Sequence, residues 1–240
     1  MAGISKPARK FLGLLLLCLC ATAANKALGF LSVILHTGLF LDTAFIITAT
    51  FSGGLPAGLL ASLFTTVIGG ISHYLFWGSP WFWGWYLYGL CFAVTALVTW
   101  LFARSFPEEC APLLLFARHN QHEKLSSLNP MPRQSGMLNL IIMLSLLSLA
   151  LWIIISVMGA FISVFNTRIL HSIAEVASVE DAFKLGLLQR GFNLVIAEIL
   201  ARIPINIIDR PVSVLIGYGT SLLLVKAGSR KKQAPLFTTR

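Results

Sequence analysis

Residues 43–103 contain no Asp, Glu, Lys or Arg, and neither do residues 137–165. A water-soluble surface cannot be built from stretches of that length. Soluble domains carry about 25% charged residues. This 240-residue chain carries 11%, against 57% hydrophobic residues and a mean hydropathy of +0.82. Disorder is excluded as well, because it requires low hydrophobicity and high charge. The remaining class is a polytopic, all-α membrane protein of one domain. At about 20 apolar residues per crossing, the length accommodates roughly five to seven helices.

The charges divide in a way that sets orientation. Lys6, Arg9 and Lys10 open the chain, and Lys226, Arg230, Lys231, Lys232 and Arg240 close it. Residues 104–136 set Arg104, Arg118, Lys124 and Arg133 against Glu108, Glu109 and Glu123. These three stretches account for the whole net charge of +9. Residues 166–210 are balanced, and Lys26 and Asp42 are the only charges left over. Cationic segments stay cytoplasmic, so both termini and the 104–136 loop are expected inside. The basic excess reports topology, and nucleic acid is not an expected partner.

Six spans are expected, at about 11–31, 42–53, 56–77, 81–103, 137–165 and 208–226. The second is short and ends in Gly53-Gly54-Leu55-Pro56, a turn signal. An even number of crossings returns both termini to one side. Residues 166–207 are then an extracytoplasmic insertion, with 183–200 an amphipathic or re-entrant helix, since a seventh crossing would put the basic tail outside. The N-terminus has a rival reading as a signal peptide, with Lys6–Lys10, an apolar run and Ala21-Thr22-Ala23 as the cleavage site.

Charged side chains near the bilayer need a reason. Lys26 either snorkels to the outer headgroups or faces a ligand. Asp42, at the start of the second span, either caps a helix or serves a site. The third and fourth spans meet outside through His73, Tyr74, Trp77, Trp81, Trp83, Trp85, Tyr86 and Tyr88. They form an interfacial aromatic belt, or some of them face inward and stack on a planar ligand. In Ala201–Pro211, Pro211 suits a first helical turn with Asp209 as its N-cap. Arg202 and Arg210 are placed to pair with Asp42 or with an anionic ligand, or only to form an interfacial ion pair.

Covalent chemistry finds no support in the motifs. No nucleophile elbow, zinc-binding His pair or phosphate-cradling Gly loop occurs. Cys18, Cys20, Cys91 and Cys110 lack metal-ligand spacing. Neither an enzyme nor a metal site is expected.

The short second span opening on Leu41-Asp42-Thr43, the Gly53–Gly58 turn and the six-helix plan resemble the substrate-binding S components of energy-coupling factor (ECF) vitamin transporters. So does Ile208–Val214 entering the last helix. The resemblance implies a cell-membrane subunit, prokaryotic and multi-pass, that captures a vitamin-like molecule from outside beneath the loop after the first helix. A transmembrane coupling subunit and cytoplasmic ATPases would drive its release, so ATP is used only by partners and no cofactor is bound. Ala23 and Ala27 match the family's small-residue docking spacing, which permits close helix approach in lipid. For a ligand under residues 32–41, Trp81, Trp85 and Tyr88 would stack, and Asp42, Asn166, Arg202, Asn206 and Arg210 would make polar contacts. The alternatives are a ligand-sensing module, expected to carry a signalling domain that this chain does not show, or a structural membrane protein.

Overall fold

The computed structural model describes residues 6–35, 37, 39–77, 84–106, 110, 137–169 and 179–233. Among these the fold is entirely helical. The elements are α1 (Lys6–Ile34), α2 (Ala44–Trp77), α3 (Gly84–Leu87), α4 (Gly89–Ser105), α5 (Met137–Arg168), α6 (Val179–Gln189) and α7 (Leu194–Gln233). Four segments are long and apolar enough to cross a membrane: Phe11–Ser32, Ala44–Ser72, Gly84–Ser105 and Met137–Arg168. The fold is therefore that of an all-α membrane protein. α7 is not among those four, and its first half carries Glu198, Arg202, Asp209 and Arg210.

α2 is two arms. Gly54, with φ 75° and ψ −171°, breaks the helical backbone at the expected turn. Residues eight apart in a straight helix are separated by about 12 Å. Here a Cβ on Gly58 would collide with the Oγ1 of Thr50 and lie 3.2 Å from its Cβ. The chain therefore doubles back at Gly54, which separates the 44–53 and 56–77 segments read from the sequence.

Contacts between helices give the direction of each pass. Cys18 Sγ donates to Ala57 O (3.3 Å) and Thr22 Oγ1 to Ala61 O (3.5 Å), so α1 runs parallel to the second arm of α2. The first arm runs the other way. Its Phe45 N–H donates to Asn25 Oδ1 (2.9 Å), while Gly53 faces Leu14. α4 descends beside the second arm, with Gly89 against Thr66 and Ala96 against Gly58. α5 rises against α4, from Cys110 beside Met143 to Gly84 beside Asn166. α7 descends against α5, from Ser163–Glu198 to Ser156–Asn206. It runs parallel to the first arm of α2, where Thr48 Oγ1 donates to Gly217 O (3.2 Å). The described starts of α1 and α2's second arm and the end of α7 thus share one end of the bundle.

Three apolar clusters pack among the described residues, the smallest of them Cys91, Ile155 and Ile162 between α4 and α5. Ile47, Phe51, Met143, Leu147, Leu151 and Val214 join α2, α5 and α7. Cys18, Ala21, Ala49, Ala57, Ala61 and Ala96 form a small-residue seam between α1, α2 and α4. The outward faces remain apolar, with Leu16, Phe30, Ile153, Phe161 and Leu215 exposed.

The last helix corrects the sequence reading. It begins at Leu194, not near 208, and runs through Pro204 and Pro211. Pro211 is therefore not in a first turn and Asp209 is not an N-cap. Asn193 caps the helix instead, its Oδ1 accepting from Ile196 N–H (2.8 Å). Residues 183–200 are not one helix either, because α6 ends at Gln189 and the chain turns at Gly191, φ 87°. Residues 194–207 of the expected insertion belong to the bundle. Prolines are tolerated inside a helix where neighbouring helices and side chains take up the freed backbone groups. Next to Pro204, Trp152 Nε1 of α5 donates to Ile203 O (3.4 Å), which ties α7 to α5 at this level.

The backbone at Gly54 lies in a region open essentially to glycine alone, at a cost of about 1–3 kcal/mol for other residues. The Cβ itself would be accommodated, since its nearest neighbour is Pro56 Cδ at 3.8 Å. Gly54→Ala is expected to lower the thermal unfolding midpoint in detergent through backbone strain alone. Gly219→Ala, in open space within α7, is expected to hold or raise it, as Ala exceeds Gly in helix propensity by about 1 kcal/mol.

Candidate functional site

At the end of the bundle opposite the start of α1, α7 presents Glu198, Arg202, Asn206 and Arg210 at four-residue intervals along one inward stripe. Residues four apart share a helix face. Buried charges must be paired and hydrogen-bonded, and the stripe resolves into two linked clusters.

The first surrounds Arg210, which is 3% exposed. Its guanidinium contacts Asp209 (2.8 Å), the Thr43 hydroxyl (2.8 Å), Asn206 Oδ1 (3.3 Å) and, more distantly, Asp42 (3.8 Å). Asn206 Nδ2 donates to Ser156 Oγ (3.0 Å). The other oxygen of Asp209 accepts from Leu41 N–H (2.8 Å). The loop after α1 is therefore fastened onto α7 at Leu41, Asp42 and Thr43. Leu41 itself adopts φ 48°. Asp42 does not cap α2 at Phe45, because Asn25 takes that N–H. The amine of Lys26 points across Gly69, where an added Cβ would approach it to 2.6 Å.

The second cluster brings α6 against α7. Arg202 pairs with Glu180 (3.0 Å) and Glu198 (3.8 Å), and Lys184 bridges Glu198 (3.1 Å) and Asp181 (3.2 Å). Ser163 Oγ donates to Glu198 Oε1 (2.7 Å), and Arg202 lies over the Tyr88 ring at 5.9 Å. Burial raises the Glu180 carboxyl above the ordinary carboxylate range, with Arg202 opposing it. At Lys184 burial alone would lower the ammonium, but Glu198 and Asp181 together outweigh it and hold it above its usual value.

Of the site residues expected from sequence, Asp42, Asn206 and Arg210 meet in the first cluster, and Tyr88 and Arg202 in the second. Asn166 stands one turn above Ser163 and donates to Gly84 O (3.2 Å). Trp85 is half-exposed, 6.3 Å from the Tyr88 ring. Trp81 lies outside the described residues. Ala23 and Ala27 face outward on α1. Glu180, Lys184 and Glu198 are additions. Glu198 and Arg202 have ion-pair spacing, visible once α7 is read through its prolines. Asn166 Oδ1 and Arg202 Nε are among several buried atoms, Ser52 Oγ and Thr99 Oγ1 included, that make no hydrogen bond to the described residues, while Glu198 Oε2 has only its 3.8 Å ion pair with Arg202. Among those residues, no group of three His, Cys, Asp or Glu is placed to hold a metal.

The chain matches no protein-family profile, no curated protein and no solved structure.

Removing one partner of a buried ion pair costs about 3–5 kcal/mol, because the other charge is left uncompensated. Arg210→Met should therefore strongly destabilise the protein in detergent, and Asp209→Asn added to it should restore part of the loss. Equal stability of Arg210→Met and wild type would show that the pair does not hold the loop.

Proposed function

We propose that this protein is the membrane-embedded binding subunit of an ATP-driven importer, similar to the S components of ECF transporters. It would take a vitamin-like small molecule at the end of the bundle opposite its termini, which is the outer face if the basic segments lie inside. In this reading the two arms of α2, with α1, α4, α5 and α7, make six crossings, and the cell is prokaryotic. The observation that carries the reading is a pair of buried atoms without a hydrogen-bond partner among the described residues, Asn166 Oδ1 and Arg202 Nε. Buried polar groups are rarely left without partners, and a bound polar ligand would supply them. The loop fastened over Arg210 and Asp209 supports it further, since it covers α7 where such a ligand would enter. Tyr88 would contact the ligand from the turn before α4, and Trp85 beside it would stack.

Energy for release would come from a coupling subunit and ATPases, for which α1 offers a docking face. Ala23 and Ala27 are exposed between the larger Leu16 and Phe30. A second reading, a structural or ligand-sensing membrane protein, is favoured by how fully Arg210 is satisfied within the chain.

Two outcomes separate these readings. Purified from its own membranes in mild detergent, the protein should retain a coupling subunit and ATPases, identified by mass spectrometry. Ala23→Leu with Ala27→Leu should abolish that association while leaving the unfolding midpoint unchanged. Recovery of the bare chain, under conditions that preserve a known importer, would leave the second reading. Asn166→Ala should reduce affinity for a co-purified small molecule without changing partner retention.

A further inference from the structure

α6 buries two of its charges against the protein and leaves a large apolar side chain exposed on each flank of that buried face. A helix facing water turns its charges outward and its apolar stripe inward. Here Glu180 and Lys184 are buried, 6% and 8% exposed, against Glu198 and Arg202 of α7. Phe183 and Leu185 are exposed, as is Phe192 in the following turn.

We propose that α6 lies within the membrane leaflet opposite the chain termini, with Phe183 and Leu185 against lipid acyl chains and its charges turned to the protein. Depth supports this surface. Glu198, which α6 grips through Lys184, is bonded to Ser163 of α5. Ser163 is five residues before the end of α5 at Arg168, about 7 Å along the axis at 1.5 Å per residue. Amphipathic helices lying in an interface bury their apolar faces about 5–10 Å. At the same level α5 exposes Phe161, Phe165 and Ile169, and α7 exposes Ile196. Phe183 and Leu185 thus continue the apolar surface of α5, a helix long and apolar enough to cross a bilayer. The ion pairs remove the cost of the same helix's charges at that depth, since charges inside a membrane face the protein interior and pair. The proposal needs neither a ligand nor an orientation of the chain, so it stands or falls apart from the importer reading.

The test is depth measurement on the full chain reconstituted at low protein density in phosphatidylcholine vesicles. Spin labels are placed through Phe183→Cys and Leu185→Cys in a background without the native cysteines. Both labels should collide readily with dissolved oxygen and poorly with a water-soluble nickel chelate. Ready collision with nickel would put α6 in water and overturn the proposal. Exclusion of both reagents would also overturn it, by showing a protein partner on this face. If the cysteine-free background fails to fold, Phe183→Trp in acyl-brominated phosphatidylcholine gives the same answer by difference from wild type. Loss of the added emission supports lipid contact, and unchanged emission refutes it.

Discussion

The fold depends on keeping the charges of α7 out of contact with lipid. Arg210, Asp209 and Glu198 are buried within the bundle, and each would be costly there without a partner. Their partners, and those of Arg202 and Asn206 on the same stripe, come from most of the molecule: the loop before α2, Ser156 and Ser163 of α5, Tyr88 before α4, and α6. The clusters consequently specify which elements must be neighbours, and the apolar surfaces then supply the bulk of the packing. α6 is the clearest case. It has few described neighbours apart from α7, and its two buried charges explain its placement.

Below the charges, the same stripe of α7 continues in small and hydroxyl residues. Ser213, Gly217 and Ser221 are buried. Ser221 Oγ donates to Gly217 O (2.8 Å) and reaches toward Thr48 O (3.4 Å). A Cβ on Gly217 would come within 2.8 Å of Ala44 O and within 2.6 Å of Ile47. Close approach of α7 to the first arm of α2 therefore requires glycine at that point. One helix thus uses ionic contacts at one end and steric closeness at the other, and the prolines between them do not interrupt the stripe.

The apolar runs, the turn at Gly54 and the location of the polar residues were legible because each leaves a local signal: absence of charge, adjacent glycines and paired spacings. Arg202, Asn206 and Arg210 stood out because charge and amide are scarce in this chain. The start of α7 was not legible. Pro204, Pro211 and Asp209 together mimic a helix beginning, and only contacts with α5 show that the helix passes through them. Asn25 leaves no sequence signal for a similar reason. It sits within an apolar helix and caps a different one, a tertiary relation without a local pattern. The partners of Arg202 on α6 were likewise hidden, because Glu180 and Lys184 read as ordinary solvated charges until the fold turned them inward.

The bend at Gly54 also bears on how the chain enters a membrane. The arm 44–53 is about 15 Å long at 1.5 Å per residue, half the thickness of a bilayer's hydrocarbon core. Such a segment is a poor independent substrate for insertion during synthesis. Its route is to enter together with residues 55–77 as a hairpin, after both arms have left the ribosome. The contact of Thr50 with Gly58 that closes this hairpin joins residues only eight apart in sequence and involves no other helix.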